Sequence, residues 1–314
     1  MINKKIIIRI SNELGNQMFM YASALGMANK LNMNLIIDNE SAYKSKKNIS
    51  KYGLNNFSAT SVIAPDSEKF LGVYGYLKRK ILKKINPYIK NKVIFIEPNN
   101  TEKITSYNEE IYNLKLSENI FVEGYFESEK YFIDIKDKIS SEFKFLNEVR
   151  YQKSAFFSEI SKSNSVSICL RQNRFIEGIN RNNELNKKKS VKFTNEQIEY
   201  IKKSISYIKK NVQKPNFFIW SNDLIVLENN VFDEKINKVI HDNEFTKNLD
   251  KRALDMYLIS QCNHHIVIPS SFNWWGAWLS KKQNKIVCRP SDNFFTDFRI
   301  SNLDFWPSNW IEII

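Results

Sequence analysis

Short β-branched runs alternate with helix-spaced apolar residues along the chain. The first run, KIIIRI at residues 5–10, predicts a buried strand, because a strand covered on both faces is apolar throughout. A polar turn over residues 11–17 follows, and the stretch from Met18 to Asn32 has the spacing of a helix. NLIID at 34–38 predicts the next strand. Strand, turn, helix and strand make a βαβ unit, so we expect an open α/β sheet.

The remainder of the first half continues this pattern less clearly. Residues 76–92 are strongly basic and predict a helix that ends before Pro87. VIFI at 93–96 and NIFVEGYF at 119–126 predict strands, and a helix is expected over 129–143. We predict a first α/β domain over residues 1–150.

The second half repeats the α/β pattern and predicts another domain over residues 151–314. Four strands are expected, with the fourth as the last of the sheet: 165–172, 216–223, 264–271 and 285–290. A polar loop is expected over 173–192. Helices are expected over 194–212, capped by Thr194, over 252–262, and over the tryptophan-rich stretch after Ser271.

The net charge narrows the classes of partner that the protein could bind. A net charge of +13 favours nucleic acid, an anionic membrane face or a phosphate-bearing ligand. Three widely spaced cysteines without a CxxC pair are typical of reduced thiols in a cytoplasmic protein. The three histidines form no HExxH or Cys/His pattern, so we expect no metal site. No stretch has the roughly 18 consecutive apolar residues of a membrane span.

The basic segment 78–92 leaves two interpretations open. Its seven cations could dock on an anionic membrane face, which would make the protein peripheral on the inner face of the membrane, or they could form a solvated helix face.

Four polar stretches fall at the expected carboxyl ends of strands, where open α/β sheets bind their ligands. They are Ser11–Gln17, Arg171–Arg174, Ser221–Asp223 and Ser270–Ser271. Ser270 and Ser271 precede a helix whose free N–H groups could bind a phosphate, with Gly276 letting that helix lie close to the sheet. The alternative is a serine cap on a buried tryptophan-rich helix.

Three charged residues have both a functional and a structural interpretation. Arg171 could clamp a diphosphate bidentately or form a surface ion pair. Asp223 could accept hydrogen bonds from a ribose or a base, or could form an Asx turn. Asp255 lies within a helix that is otherwise apolar, where a carboxylate needs a partner such as an internal arginine or a ligand donor.

Four stretches in order resemble glycosyltransferase family 11, the bacterial α-1,2-fucosyltransferases of surface polysaccharide synthesis. They are LGNQMFMYA at 14–22, GYFESEKYF at 124–132, WSND at 220–223 and LDMYLISQCNHHIVIPSSFNWWGAWL at 254–279. The resemblance covers nearly the whole chain.

The resemblance implies a GT-B-like α/β fold with two Rossmann-type domains facing a cleft. It also implies inverting, metal-independent transfer of L-fucose from GDP-fucose to a sugar hydroxyl of an oligosaccharide or lipid-linked acceptor. The first domain would be on the acceptor side, and the second would hold the GDP-sugar. By similarity the donor-binding residues are Gly15, Asn16, Gln17, Arg171, Ser221, Asp223, Asp255, Ser270 and Ser271. Among them Arg171 would hold the diphosphate, Ser271 would hydrogen-bond it, and Asp255 would bind guanine.

The sequence departs from the family at two places. Where the family has His-x-Arg-Arg-Gly-Asp, this chain has Cys169-Leu170-Arg171-Gln172-Asn173-Arg174, and Asn12-Glu13 replaces two glycines. The altered motif leaves open a transferase for another GDP-linked deoxy sugar, or a relative that binds a GDP-sugar without turnover. Glu177 and Glu184 are the candidates for a catalytic base, and solvated loop carboxylates are the alternative.

A nucleic-acid-binding protein is the competing interpretation of the basic, aromatic-rich composition. The chain has no RNP, helix-turn-helix or zinc-finger signature, so we expect no nucleic-acid partner.

Overall fold

A computed structural model provides the structure of the protein. It describes residues 4–43, 51–98, 105–177, 183–223, 231–241, 244–295 and 301–314. The chain divides into two compact units, and the short segment Leu303–Pro307 belongs with the first although it lies near the end of the sequence. The first unit otherwise spans Met1–Leu146, and the second comprises Asn147–Asn302 and Ser308–Ile314.

The first unit contains a five-stranded parallel sheet with the order β3-β2-β1-β5-β4. Its strands are β1 (Lys5–Arg9), β2 (Asn34–Asp38), β3 (Val62–Ile63), β4 (Lys92–Ile96) and β5 (Leu116–Glu123). The centre of β1 is buried throughout because it pairs on both edges and is covered on both faces.

Four α-helices accompany this sheet: α1 (Leu14–Lys30), α2 (Gly72–Ile85), α3 (Glu110–Asn113) and α4 (Lys136–Glu142). The helix expected from Met18 therefore begins earlier, at Leu14, and takes in most of the predicted turn. The helix expected over 129–143 is also different. Two 3₁₀ turns, Glu129–Tyr131 and Ile133–Ile135, precede the short α4.

The basic helix α2 ends before Pro87 as predicted, but three of the seven cations in the segment 78–92 make internal contacts. Arg79 donates both Nε and an Nη to the carboxylate of Glu123 at 2.5 Å. Lys92 donates Nζ to backbone carbonyls just after the helix, including that of Asn86 at 2.9 Å. Lys78 donates to the carbonyl of Ser67 at 3.2 Å. The other four cations, Lys80, Lys83, Lys84 and Lys90, are exposed.

The second unit contains a six-stranded parallel sheet with the order β11-β10-β9-β6-β7-β8. Its strands are β6 (Asn164–Leu170), β7 (Pro215–Ser221), β8 (Ile236–Lys238), β9 (His264–Ile266), β10 (Val287–Pro290) and β11 (Ile311–Ile313). Counted from β6, this is the 3-2-1-4-5-6 order of a dinucleotide-binding Rossmann sheet. The stretch 285–290 is therefore not the last strand.

The helices of the second unit are α5 (Glu148–Tyr151), α6 (Ala155–Ser161), α7 (Glu184–Asn211), α8 (Lys251–Gln261) and α9 (Ser271–Leu279). A final short helix, α10 (Asn302–Phe305), lies where the chain passes from the second unit to the first. Among the residues that the structure describes, no helix combines the length and apolarity needed to cross a bilayer.

Helix α7 starts ten residues before the predicted start. The side chain of Asn183 caps it by accepting the N–H of Asn186 at 2.9 Å. Thr194, the expected cap, is buried inside the helix and donates Oγ1 to the carbonyl of Ser190 at 3.0 Å. The first turns of α7 are rich in lysine and have few apolar residues to mark a buried face, so the hydrophobic pattern does not predict where the helix starts.

Candidate active site

The second sheet reverses its strand order between β6 and β9, which are neighbours although far apart in sequence. Such a switch point opens a crevice at the carboxyl ends of the strands, where Rossmann sheets bind their ligands. Arg171 follows β6 directly, and Ser270 lies in the segment between β9 and α9. Candidate phosphate ligands thus follow both of the strands that flank the switch point.

Arg171 is held through its backbone and paired through its side chain. The fully buried side chain of Gln197, on α7, accepts the N–H of Arg171 at 2.8 Å and donates to its carbonyl at 2.7 Å. The guanidinium contacts the carboxylate of Glu177, and about a third of the Arg171 side chain remains exposed, at 35%. Both residues assigned to catalysis are therefore in direct contact.

Gln172, which stands where the family has a second arginine, joins the loops after β6 and β7. Its backbone and the Asn222 amide form a reciprocal pair with distances of 2.7 and 3.0 Å. Its side chain donates to the hydroxyl of Ser221 at 3.2 Å and to the carbonyl of Asp223. The neutral side-chain amide of Gln172 thus fixes the loop that contains Ser221 and Asp223.

Asp255, on α8, has two donors on one carboxylate oxygen. The indole N–H of Trp220 lies 3.0 Å from Oδ1, and Nε2 of His241 lies 2.5 Å from the same atom. Neither of these two donors is the internal arginine that the sequence suggested as a partner for Asp255. The carboxylate is still partly exposed, at 28%, so Oδ2 is the oxygen left for a ligand donor.

His241 contacts the candidate ligand Asp255, and the sequence did not reveal this partner. It lies beyond β8 in a polar stretch with no motif or periodicity, and only the fold brings it to α8. Together with Trp220, it fixes the orientation of the Asp255 carboxylate.

Ser270 occupies the N-cap position of α9, but its side chain makes no capping hydrogen bond. The interpretation as a conventional serine cap is therefore wrong, and the Ser270 hydroxyl is not engaged with the first turn. Ser271 is the first helical residue. The amides of this first turn have no acceptor within the helix, which is the property that suits an anion.

Gly276 permits a close helix–helix contact and not the predicted helix–sheet contact. A Cβ at this position would lie 2.4 Å from Cγ2 of Ile259 on α8. Trp274 and Trp275 are fully buried, and Trp274 also packs against Trp310 with ring centroids 5.6 Å apart. The tryptophans therefore anchor α9 and the serines at its start.

The cysteines are buried and structural. Burial raises the pKa of the Cys169 thiol well above its usual value, so it is not a thiolate at neutral pH. Cys262 and Cys288 are also free and buried. In the described ranges, no three His, Cys, Asp or Glu side chains are grouped to hold a metal ion.

Gly15, Asn16 and Gln17 lie in the first turn of α1 and not in a loop. Gln17 is fully buried, and its side-chain amide contacts three backbone groups: the carbonyls of Asn12 and Lys51 at 2.7 and 2.9 Å, and the N–H of Gly53 at 2.8 Å. Through the bond to Asn12, Gln17 fixes the loop that follows β1.

The first sheet has its own switch point between β1 and β5. Asn12, after β1, has a φ of 61°, a left-handed conformation that asparagine tolerates best after glycine, so the replacement of a family glycine costs little here. Its side chain donates to the hydroxyl of Tyr125, after β5, at 2.8 Å. Tyr125 is itself 41% exposed.

A half-buried carboxylate, that of Glu97, holds the strained backbone beside Tyr125. Phe126 has a φ of 51°, which is costly for a bulky residue. Glu97 accepts the N–H of Tyr125 at 2.7 Å and that of Phe126 at 3.0 Å, and burial raises the pKa of this carboxyl. Backbone strain of this kind concentrates at functional sites.

The structure thus groups the predicted residues by unit. In the second unit, Arg171 contacts Glu177, Gln172 links Ser221 to Asp223, and Asp255 is tied to β7 through Trp220. Glu184 does not join them. It is the first residue of α7, is 80% exposed, and pairs with Lys187 at 2.8 Å.

The family model of glycosyl transferase family 11 matches residues 2–313. The chain is 24% identical over 311 residues to an alpha-1,2-colitosyltransferase of Escherichia coli, covering 98% of each sequence. It is 23% identical over 297 residues to the O-antigen biosynthesis glycosyltransferase WbnK of Escherichia coli, covering 90% of this chain and 92% of the relative.

Among solved structures, the chain resembles the alpha-1,6-fucosyltransferase NodZ from Bradyrhizobium, in crystals soaked with GDP-fucose. The TM-score is 0.53 at 17% identity, and the match covers 88% of this chain and 92% of NodZ. At this identity the likeness concerns the fold, and it confirms the predicted GT-B-like α/β class with two parallel sheets.

Proposed function

The chain belongs to glycosyltransferase family 11, and from that membership we propose that it transfers L-fucose from GDP-fucose to a hydroxyl of a glycan acceptor in an α-1,2 linkage. The reaction would proceed with inversion at the anomeric carbon and without a metal. The acceptor would be an oligosaccharide or lipid-linked glycan of a bacterial surface polysaccharide, since one relative is named for O-antigen biosynthesis.

The observation that supports a donor site in the second unit is that Arg171 and the pair Ser270–Ser271 follow β6 and β9, the two neighbouring strands at the switch point. A guanidinium can bind two phosphate oxygens at once, and a hydroxyl at the N-terminus of a helix adds a further donor where the helix dipole favours an anion. The diphosphate of a GDP-sugar matches this combination of donors.

Asp255 would bind guanine through Oδ2. The N1–H and N2–H groups of guanine are neighbouring donors, whereas uracil offers a single N–H flanked by carbonyls. Because Oδ1 already accepts from Trp220 and His241, its orientation is set before the nucleotide arrives. This arrangement favours GDP over UDP.

Arg171 and Ser271 would stabilise the charge that develops on the leaving GDP. The acceptor oxygen forms a bond to the anomeric carbon as the bond from that carbon to the phosphate oxygen breaks, and the electron pair leaves with GDP. Phosphate oxygens that take the Arg171 guanidinium would release Glu177, which could then accept the proton of the acceptor hydroxyl.

The acceptor would bind on the first unit, at the carboxyl edge of its sheet. The half-exposed ring of Tyr125 offers an apolar face to a sugar ring, and Asn12 and Tyr125 carry hydrogen-bonding groups next to it. Glu97 holds the backbone of this segment and leaves the tyrosine ring outward.

A GDP-linked deoxy sugar other than fucose is the second candidate donor. The colitosyltransferase relative supports it, as does the absence here of the histidine and second arginine of the family motif. In place of that arginine, the neutral side chain of Gln172 holds the neighbouring loop, so the loop is ordered without a charge at this position.

Calorimetry without added metal tests the donor site. We expect micromolar binding of GDP and GDP-fucose and none of UDP. Arg171→Ala and Ser271→Ala should each weaken GDP binding at least tenfold, because each removes a phosphate donor worth about 1.5–3 kcal/mol. Cys169→Ser should leave the affinity unchanged, since the buried thiol faces no ligand in this assignment.

Unchanged GDP affinity in Arg171→Ala would refute the assignment of the diphosphate site. Binding of a GDP-sugar without transfer or hydrolysis, measured with a panel of glycan acceptors, would instead identify a relative that binds donor without turnover. Transfer from a different GDP-deoxy sugar, with fucose inactive, would establish the second candidate.

A further inference from the structure

Helix α2 exposes a continuous apolar stripe. Val73, Leu77 and Ile81 recur every four residues and therefore lie on one face of the helix, with exposed fractions of 77%, 48% and 57%. Tyr74 and Ile85 widen this stripe, and Tyr88 extends it past the end of the helix. Exposed apolar residues scattered singly are ordinary, but a contiguous patch marks an interaction surface.

The stripe is not the core-facing side of the helix. Gly75 lies on the core-facing side, since a Cβ at this position would be 2.2 Å from the carbonyl carbon of Phe70. Leu82 packs against the same core, which includes Phe70 and Phe121. The Arg79–Glu123 ion pair also ties this inner side to the end of β5. Helix α2 is thus fixed to its unit by one face and presents a second apolar face outward.

Lysines lie along the exposed side. Lys80, Lys83, Lys84 and, after the helix, Lys90 are all exposed. No acidic residue occurs between Gly72 and Lys92, so this surface is uniformly basic. An apolar stripe with tyrosines and flanking lysines has the chemistry of a helix that lies in the interface of an anionic bilayer.

We propose that α2 is a membrane-docking helix that places its apolar stripe among the acyl chains of an anionic bilayer and its lysines at the headgroups. The charge complementarity selects this partner, because a second copy of the chain would bring one set of lysines against another. The proposal is independent of the donor site, which lies in the other unit. It would suit an acceptor whose glycan is attached to a lipid.

Vesicle flotation of the full-length protein tests the proposal. We expect binding to vesicles of phosphatidylcholine and phosphatidylglycerol in a 7:3 ratio, weak binding to phosphatidylcholine alone, and release in high salt, which screens the lysines. Lys80→Gln/Lys83→Gln should lower the partition coefficient roughly thirtyfold. This is the factor by which two lysines near an anionic surface strengthen binding to the membrane.

The apolar stripe has a matched control elsewhere in the chain. Leu77→Gln/Ile81→Gln should lower the partition coefficient at least tenfold. Leu185→Gln/Val191→Gln, which alters two similarly exposed residues on the lysine-rich helix α7, should not. All variants should keep wild-type affinity for GDP, which shows that they are folded and separates this test from that of the donor site.

Equal flotation of wild type and Leu77→Gln/Ile81→Gln, or no binding to anionic vesicles, would overturn the proposal. Concentration-dependent dimerisation that Leu77→Gln/Ile81→Gln abolishes, together with absent vesicle binding, would assign the stripe to a second copy of the chain instead.

Discussion

In each unit a buried glutamine holds the loop that follows the first strand. Gln17 on α1 donates to the carbonyl of Asn12, and Gln197 on α7 both donates to and accepts from the backbone of Arg171. An amide side chain can do both, and it brings no charge into a buried position. The candidate ligands in these loops are thereby ordered through their backbone by uncharged groups, while the Arg171 guanidinium pairs with Glu177.

Glu177→Gln tests the catalytic base at the residue scale. If Glu177 takes the proton of the acceptor, kcat should fall at least about a hundredfold. The GDP Kd should change by no more than about fivefold, because the Arg171–Glu177 pair is partly exposed and such pairs contribute about 0–1 kcal/mol. Steady-state transfer kinetics and calorimetry measure the two effects separately.

Glu184→Gln is the matched control, since Glu184 is exposed and paired with Lys187. It should leave both kcat and the GDP Kd unchanged. A normal kcat in Glu177→Gln would reduce Glu177 to a counter-ion of Arg171, and a large loss in Glu184→Gln would move the base to that residue.

His265→Asn tests the pH dependence of stability. His265 is fully buried against Ser167, with Nδ1 2.8 Å from Oγ, and burial holds its pKa well below the ordinary value of 6.5. Below about pH 6.5 the unfolded state binds a proton that the folded state does not, so the free energy of unfolding falls as the pH drops. The slope approaches about 1.4 kcal/mol per pH unit for this one group.

Urea unfolding of wild type and His265→Asn between pH 5 and pH 8 measures this slope. The asparagine amide can keep the contact with Ser167 but does not titrate, so the two free-energy curves should converge toward low pH. Parallel curves over this range would show that His265 does not contribute to acid sensitivity.

At the scale of elements, the two helices whose starts were predicted too late, α1 and α7, begin in polar sequence. The hydrophobic pattern marks where a helix becomes buried, whereas its start depends on capping contacts that have no apolar signature. Helix α9 shows the opposite case. Its apolar pattern is plain, but Gly276 contacts Ile259 of a neighbouring helix, a partner that only packing determines.

Asn183→Ala tests the start of α7. It should destabilise the protein by about 1 kcal/mol, because the cap of the N–H of Asn186 is lost. Thr194→Ala should cost less, since alanine has the better helix propensity and Thr194 is inside the helix. Urea midpoints at constant m-value give both numbers, and the reverse ranking would place the helix start at Thr194.

At the scale of the whole molecule, the diphosphate and guanine contacts that we propose and the proposed acceptor contacts come from different units. The residues from Arg171 onward that we assign to the nucleotide lie in the second unit. Asn12 and Tyr125, which we assign to the acceptor, lie in the first. The segment Leu303–Pro307 packs with the first unit, where the backbone carbonyl of Asp304 accepts the hydroxyl of Ser128 at 2.5 Å. The last strand then returns to the second sheet.

Hydrogen exchange with and without ligand tests this division. GDP alone should slow exchange at residues 170–177, 221–223 and 270–273 and leave the first unit unchanged. GDP-fucose should add protection over Ser11–Gln17, because the family resemblance assigns Gly15, Asn16 and Gln17 to the donor. Protection of Ser11–Gln17 by GDP alone would assign the nucleotide itself to both units.

The sequence by itself determined the α/β class, the repeated βαβ pattern and the positions of Arg171 and the serine pair, because strand runs and the polar residues that end them are local features. Tertiary structure alone decided the partners of these residues. His241 reaches Asp255 from a segment without a motif, Gln172 turns from a phosphate position to a neighbouring loop, and α2 presents a second apolar face outward. These contacts join elements that are distant in sequence, and periodicity along a chain carries no information about which distant surfaces meet.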